Sequence, residues 1–105
     1  MLQKYTEQNK FGGCSWLIEI SPELNILINE TNNSFLIELQ KKGFFKRKTF
    51  ASFNSTLSFK ETIIESFDKL FMELQSNSNF HWTIEQKDNK LQNVLITYEN
   101  MYENL

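Results

Sequence analysis

The chain has 105 residues, of which 40% are hydrophobic and 23% are charged, and its formal net charge is −2. These values fit one globular domain with one core and exclude an intrinsically disordered chain. One histidine, one cysteine and three glycines are too few for a zinc cluster or a glycine-rich nucleotide loop, and they leave little for nucleophilic catalysis. We therefore predict one α+β domain over residues 1–105, with no catalytic residue, metal or cofactor, and not an enzyme.

The first half of the chain predicts strands. Residues 1–12 precede any periodic pattern and are expected to form a flexible N-terminal segment. Apolar residues then alternate with polar ones in runs that begin at Cys14, Leu24 and Phe35, and a fourth run extends from Phe44 to Ala51. Polar or glycine-containing turns at 30–34 and 41–43 separate the later runs, so residues 14–51 predict an antiparallel meander of about four strands.

A helix is predicted from Phe59 to about Gln75. Ser58 is suited to cap its first turn, and Glu61 stands three residues later, as in a capping box. The helix has an apolar stripe at steps of three and four residues. Its members are Phe59, Ile63, Ile64, Phe67, Leu70, Phe71 and Leu74.

The C-terminal third allows two interpretations. Phe80, Trp82 and Ile84 alternate with polar residues and predict a fifth strand, which the polar turn 87–90 would end. From Leu91 onward the residues fit either a strand or a helical period, and we favour a sixth strand to about Tyr98 followed by a short terminal helix. The predicted fold is thus one antiparallel sheet of about five to six strands, packed on one amphipathic helix, with room for a short C-terminal helix.

The outer side of the predicted helix carries the first candidate site. Glu61, Glu65, Asp68 and Met72 follow one another at spacings of four, three and four, opposite the apolar stripe. Glu99 and Glu103 are candidates to extend this acidic surface. Such a surface suits a basic protein, because opposed charges speed encounter and a methionine adapts to an imperfect pocket.

A basic segment is the second candidate site. It comprises Lys41, Lys42, Phe44, Lys46, Arg47 and Lys48, with Phe45 beside them. Cations interleaved with aromatic residues can bind phosphates and stack on bases. The rest of the chain, however, has six basic and thirteen acidic residues, and this negative excess disfavours nucleic acid.

The sequence best fits a protein that binds another protein. No signal peptide or membrane-spanning run is evident, and the single Cys14 cannot form an internal disulfide, so we expect a cytoplasmic protein with no membrane partner. Size, acidity and missing catalytic motifs together suggest a small bacterial immunity protein or inhibitor, which covers the active site of a basic toxin, for example a nuclease. Alternatives are nucleic acid or an anionic ligand bound at the basic segment 41–48, and a small-ligand pocket lined by Trp16, Trp82, Tyr98 and Tyr102, although aromatic residues at these spacings more often form core.

Overall fold

The computed structural model describes residues 1–76 and 82–103. Five strands are followed by two helices: β1 (Leu2–Lys4), β2 (Ser15–Glu19), β3 (Leu24–Glu30), β4 (Phe35–Lys42), β5 (Arg47–Ser55), α1 (Phe59–Gln75) and α2 (Ile84–Tyr102). The strands form one antiparallel sheet in the order of the chain. The α+β class, the antiparallel sheet and its meander topology are therefore confirmed.

Alternation along the strands places two different surfaces on the sheet. Ile18, Ile26, Ile28, Ile37 and Leu39 are fully buried and form the core with the helices. The intervening residues of the same strands lie on the opposite face of the sheet, which neither helix covers. That face is called the open face below.

The N-terminal strand was not predicted. Leu2–Lys4 pair with β2 along the edge of the sheet, and the Leu2 side chain is buried. Three residues are too few to show a convincing alternation, so the pattern of the sequence alone does not reveal β1. The loop that follows β1 turns at Gly12, whose φ of 85° favours glycine.

Helix α1 begins where predicted. Ser58 is its N-cap, and the Ser58 hydroxyl accepts a hydrogen bond from the Glu61 backbone N–H at 3.2 Å. Phe67 and Leu70 are fully buried against the sheet, as expected, but Ile64 is exposed. Two small polar residues of α1 are buried instead, because their hydroxyls find partners. They are Thr62, which bonds Ser55 at 2.9 Å, and Ser66, which donates to the Ile63 carbonyl at 2.7 Å.

The predicted fifth and sixth strands are wrong. Thr83 caps a 19-residue helix, and it forms a reciprocal capping box with Gln86. The predicted polar turn 87–90 lies inside this helix, and so does the segment to Tyr98 that we had favoured as a strand. Cooperative capping and the buried helical stripe of Leu91, Val94 and Leu95 outweigh the strand propensity of the segment. Phe80 and His81, from the predicted fifth strand, lie outside the described residues.

The two helices lie side by side on the sheet and run antiparallel. Lys60 in the first turn of α1 pairs with Glu99 near the end of α2, and Asp68 of α1 pairs with Lys87 near the start of α2. α1 contacts β4, while α2 contacts the edge strand β1. The packing of this second helix against α1 and β1 was not predicted from the sequence.

An aromatic cluster joins the helices to the sheet. Phe59 lies 4.4 Å from Trp16 and 5.6 Å from Tyr98, measured between ring centroids. Trp16 Nε1 also donates to the Tyr102 hydroxyl at 3.0 Å, so the largest ring of the sheet has its polar atom satisfied.

Candidate binding surfaces

Residues Glu61, Glu65, Asp68 and Met72 form a ridge on α1, which we call the acidic ridge. The helix buries Ile63, Phe67, Leu70 and Leu74 toward the sheet, and the ridge lies on the opposite side of the helix. Met72 has 66% of its surface exposed, and Glu61 and Asp68 are exposed as well. The structure thus brings these four residues together on one accessible surface.

Local hydrogen bonds hold the first half of the acidic ridge in place. Glu61 accepts a hydrogen bond from the Ser58 hydroxyl at 2.9 Å, and Glu65 accepts one from the Ser55 hydroxyl at 3.3 Å. Neither partner carries a charge, so these two hydrogen bonds do not offset the charge of the carboxylates as an ion pair would. The N-terminal half of the ridge is therefore its more negative half.

A lysine partly balances the second half of the acidic ridge. Lys87 of α2 lies 3.0 Å from Asp68 and 3.8 Å from Asp88, and it also lies over the ring of Phe71. The stem of Lys87 is largely covered, whereas Asp68 stays more than half exposed. Because Asp68 is exposed, the Asp68–Lys87 pair contributes about 0–1 kcal/mol to the free energy of unfolding. Its main effect is to reduce the negative potential beside Met72.

Glu99 and Glu103, the proposed extension, lie on α2. Lys60 holds Glu99 at 3.4 Å, which brings this carboxylate close to the first turn of α1 but also balances it. Glu103 is the exposed C-cap of α2, and its backbone N–H donates to the Glu99 carbonyl at 2.8 Å. Glu99 is thus paired with a lysine and Glu103 is exposed at the end of α2, and their contribution to the acidic surface stays a prediction.

The helices also expose apolar side chains toward solvent. Besides Met72, three isoleucines of the helices are exposed, namely Ile84 at 63%, Ile96 at 54% and Ile64 at 37%. Exposed apolar side chains of this kind are available as contacts for a partner protein. Sequence analysis assigned Ile64 to the apolar stripe of α1, and it missed the exposure of Ile84 and Ile96 because α2 was not predicted.

The turn between β4 and β5 forms a second accessible surface, which we call the basic hairpin and define as residues 41–48. Strand β5 begins at Arg47, so Phe44 and Phe45 belong to the turn. The prediction that a strand begins at Phe44 is therefore wrong. The two rings are 90% and 91% exposed and contact each other edge to face at 4.6 Å. The Gly43 backbone N–H donates to the Lys46 carbonyl and closes the turn. A Cβ at position 43 would clash with the same carbonyl oxygen, so the turn requires glycine.

The charges of the basic hairpin are concentrated by its register. Lys41 is paired with Lys48 across the strands, and Lys42 with Arg47. All five cations are exposed, and within residues 1–76 and 82–103 none of them has a carboxylate within ion-pair distance. Arg47 reaches only the Pro22 carbonyl, at 3.4 Å. The basic hairpin is therefore a uniformly positive projection that ends in two phenylalanines.

A chain of hydrogen-bonded side chains crosses the open face of the sheet, and sequence analysis did not identify it. Ser15 donates to Asn29 at 2.8 Å, Asn29 donates to Glu38 at 3.0 Å, and Thr49 donates to the other Glu38 oxygen at 3.1 Å. We call this the polar ladder. Asn9 joins it at one end through Ser15, and Gln40 and Asn25 join it at the other end.

The polar ladder is more buried than a solvated sheet face. Ser15, Asn25 and Asn29 all have less than a tenth of their surface exposed. The loop from Tyr5 to Asn9 folds beside Ser15 and Asn29, and together with Leu27 they line a shallow groove of about 280 Å³. Asn25 Oδ1 is buried and has no hydrogen-bond partner among the described residues. Asn25 and Asn29 alternate with the buried isoleucines of β3, which places them on the open face. No local sequence pattern predicts that they are buried there.

The aromatic residues considered for a ligand pocket contribute to the core. Trp16 is buried, and Tyr98 and Trp82 pack against the core cluster. Trp82 lies 6.1 Å from Phe67, between ring centroids. Tyr102 contacts both Tyr98 and Trp16, whereas Trp82 contacts Phe67, so the described residues do not bring the four rings together in one cluster.

Chemistry-bearing groups are sparse in the part of the chain that the structure describes. No three of its histidine, cysteine or acidic side chains lie close enough to hold a metal ion together. Cys14 is half-buried beside the core and unpaired with another cysteine. Neither helix in the described ranges is long and apolar enough to cross a bilayer.

Comparisons with known proteins found no relative. No family model matches the sequence, and no curated protein or solved structure matches it significantly. The binding surfaces above are therefore interpreted from their own geometry and charge.

Proposed function

We propose that the protein binds a basic partner protein through the acidic ridge and performs no catalysis itself. The observation that carries the proposal is the arrangement of three carboxylates and the 66% exposed Met72 on the outer side of α1. Carboxylates attract and orient a basic surface, while the methionine provides the apolar contact that holds it.

The most concrete form of this function is inhibition of a toxin. The acidic ridge would cover the substrate groove of a basic enzyme, such as a nuclease toxin, and its carboxylates would take the place of substrate phosphates. The protein would then be a bacterial immunity protein, which stays in the cytoplasm that it protects. A rigid helix packed on a sheet suits this role, because a preorganised surface loses little conformational entropy on binding.

Charge reversal on the acidic ridge tests this proposal. Wild-type protein and the triple variant Glu61→Lys, Glu65→Lys, Asp68→Lys are used to capture proteins from the native host. A second triple variant, Glu7→Lys, Glu19→Lys, Glu23→Lys, changes the net charge equally at exposed positions outside the helices. We expect one basic protein in stoichiometric amount, retained by the control variant and lost from the ridge variant.

Reconstitution then separates inhibition from simple binding. The captured protein is purified, and its own enzymatic activity is measured with increasing wild-type protein or ridge variant. Inhibition by wild-type protein, with at least a tenfold weaker effect of the ridge variant, supports the proposal. Equal capture of the partner by wild-type protein and ridge variant would contradict it.

A further inference from the structure

The two phenylalanines of the basic hairpin have no structural role in the described molecule. They are 90% and 91% exposed and contact mainly each other. Water disfavours such an apolar pair, and neither ring stabilises the core. An interaction outside the chain would use them.

The register of the basic hairpin points to a negatively charged counterpart. Lys41 faces Lys48, and Lys42 faces Arg47. Like charges directly opposite each other destabilise a strand pair. The hairpin therefore folds against its own repulsion, and an anionic surface placed against its tip would relieve that repulsion.

The shape of the basic hairpin favours a flat anionic surface over a polynucleotide. Single-stranded nucleic acid binds in a positively charged groove whose aromatic faces are open to the bases. Here the rings lie at the tip of a turn, and each ring is in contact with the other. The negative excess elsewhere in the chain would also repel a long polyanion that reaches past the hairpin, whereas a flat surface at the hairpin tip would be screened by salt from charges more than a Debye length away.

The depth of the cations matches a lipid headgroup layer. Lys41 and Lys48 lie three residues behind Phe44 and Phe45, which is at most about 10 Å because the last part of that path is a turn. Apolar side chains of proteins that lie in the membrane interface reach about 5–10 Å into the boundary between headgroups and acyl chains. With the rings at that depth, the cations would stand at the level of the lipid phosphates.

We propose that the basic hairpin docks the protein on an anionic lipid surface, with Phe44 and Phe45 inserted and the five cations bound to headgroup phosphates. This docking requires no membrane-spanning helix, and it replaces the expectation from sequence that no membrane is a partner. The acidic ridge is not involved, so the proposal stands or falls independently of the proposed function.

Vesicle co-sedimentation tests the proposal with the full chain. Vesicles of phosphatidylcholine with 30% phosphatidylserine are compared with vesicles of pure phosphatidylcholine. We expect binding to the anionic vesicles only. Changing Lys46, Arg47 and Lys48 to glutamine should weaken it about 100-fold, because each cation near such a surface contributes a nearly fivefold factor. Phe44→Ala with Phe45→Ala should weaken it at least tenfold.

Two controls separate the hairpin from general charge and hydrophobicity. Changing Lys4, Lys10 and Lys90 to glutamine removes three exposed cations elsewhere, and Met72→Ala removes an exposed apolar side chain elsewhere. Both variants should bind the anionic vesicles about threefold less tightly at most. The hairpin variants involve exposed residues only, so circular dichroism should show that they stay folded.

A spectroscopic measurement reports insertion directly. In Phe45→Trp protein, lipids brominated near the headgroup should quench more fluorescence than in wild-type protein, whose Trp16 is buried and whose Trp82 packs against the core. Absence of binding to anionic vesicles would overturn the proposal. So would binding unaffected by the phenylalanine substitutions, or binding of a single-stranded oligonucleotide through the same residues without vesicle binding.

Discussion

The acidic ridge and the basic hairpin are both clusters of like charge in the sequence, but only the ridge has oppositely charged neighbours in the described structure. On the ridge, Asp68 is met by Lys87 from the second helix, and the neighbouring Glu99 is met by Lys60. In the basic hairpin, cross-strand register brings cations opposite cations. Lysines of one helix can balance carboxylates of the helix beside it, whereas among the described residues no carboxylate lies within ion-pair distance of the hairpin cations.

This difference shows what a charge cluster in a sequence can and cannot predict. The ridge is a moderately negative surface with an apolar anchor, which suits a protein partner of complementary shape. The basic hairpin is an unbalanced positive tip, which suits a surface recognised by charge and apolar insertion. The two surfaces differ in this way only if Phe67 of α1 faces the core and if Lys87 contacts Asp68. Both conditions can be tested.

The largest expected effect separates the inner side of α1 from its outer side. Phe67 is fully buried, so Phe67→Ala should lower the free energy of unfolding by about 3–5 kcal/mol. Met72→Ala on the acidic ridge should change it by less than about 0.5 kcal/mol. Urea denaturation followed by circular dichroism measures both variants. Similar losses for the two variants would mean that the ridge is not an outer surface.

A second substitution tests whether the polar ladder, unlike the two charged surfaces, stabilises the fold. Asn29→Ala removes the hydrogen bonds of Asn29 with the buried Ser15 and with Glu38, and we expect the free energy of unfolding to fall by about 1–3 kcal/mol. Asn54→Ala, on the exposed part of β5, is the matched control and should be near neutral. A loss at Asn54 as large as that at Asn29 would show that the ladder has no special role.

The smallest expected effect concerns the balance of charge on the acidic ridge. A double-mutant cycle with Asp68→Asn and Lys87→Gln should give a coupling of about 0.2–1 kcal/mol, since Asp68 is more than half exposed. The coupling should diminish at 1 M salt. A coupling of zero at low salt would mean that Lys87 does not balance the ridge, which would then be as unbalanced as the hairpin.

The sequence predicted those parts of the fold that depend on local pattern. Alternating residues revealed the meander, and Ser58 revealed the start of α1, because both signals lie within a few residues. The C-terminal segment was misassigned because Val94 to Tyr98 fits a strand locally and becomes helical through capping at Thr83 and packing on the core. Strand β1 was missed because it is too short to carry a pattern.

The candidate surfaces were predictable to different degrees. Helical spacing alone placed the acidic ridge residues on one side of α1, and the structure has them there. The lysines that balance Asp68 and Glu99 come from positions 19 and 39 residues away, and no local pattern reveals such pairs. The burial of Asn25 and Asn29 and the nearly complete exposure of Phe44 and Phe45 likewise arise only from tertiary structure.

The association rate with the captured basic partner shows whether the acidic ridge, and not the basic hairpin, guides binding. Stopped-flow mixing would compare wild-type protein, the ridge variant Glu61→Lys, Glu65→Lys, Asp68→Lys and the hairpin variant Lys46→Gln, Arg47→Gln, Lys48→Gln from 50 to 500 mM salt. We predict that the wild-type rate constant falls at least tenfold with salt, that the ridge variant is slow throughout, and that the hairpin variant associates at least as fast as wild type. A hairpin variant that is slow and a ridge variant that matches wild type would contradict the account.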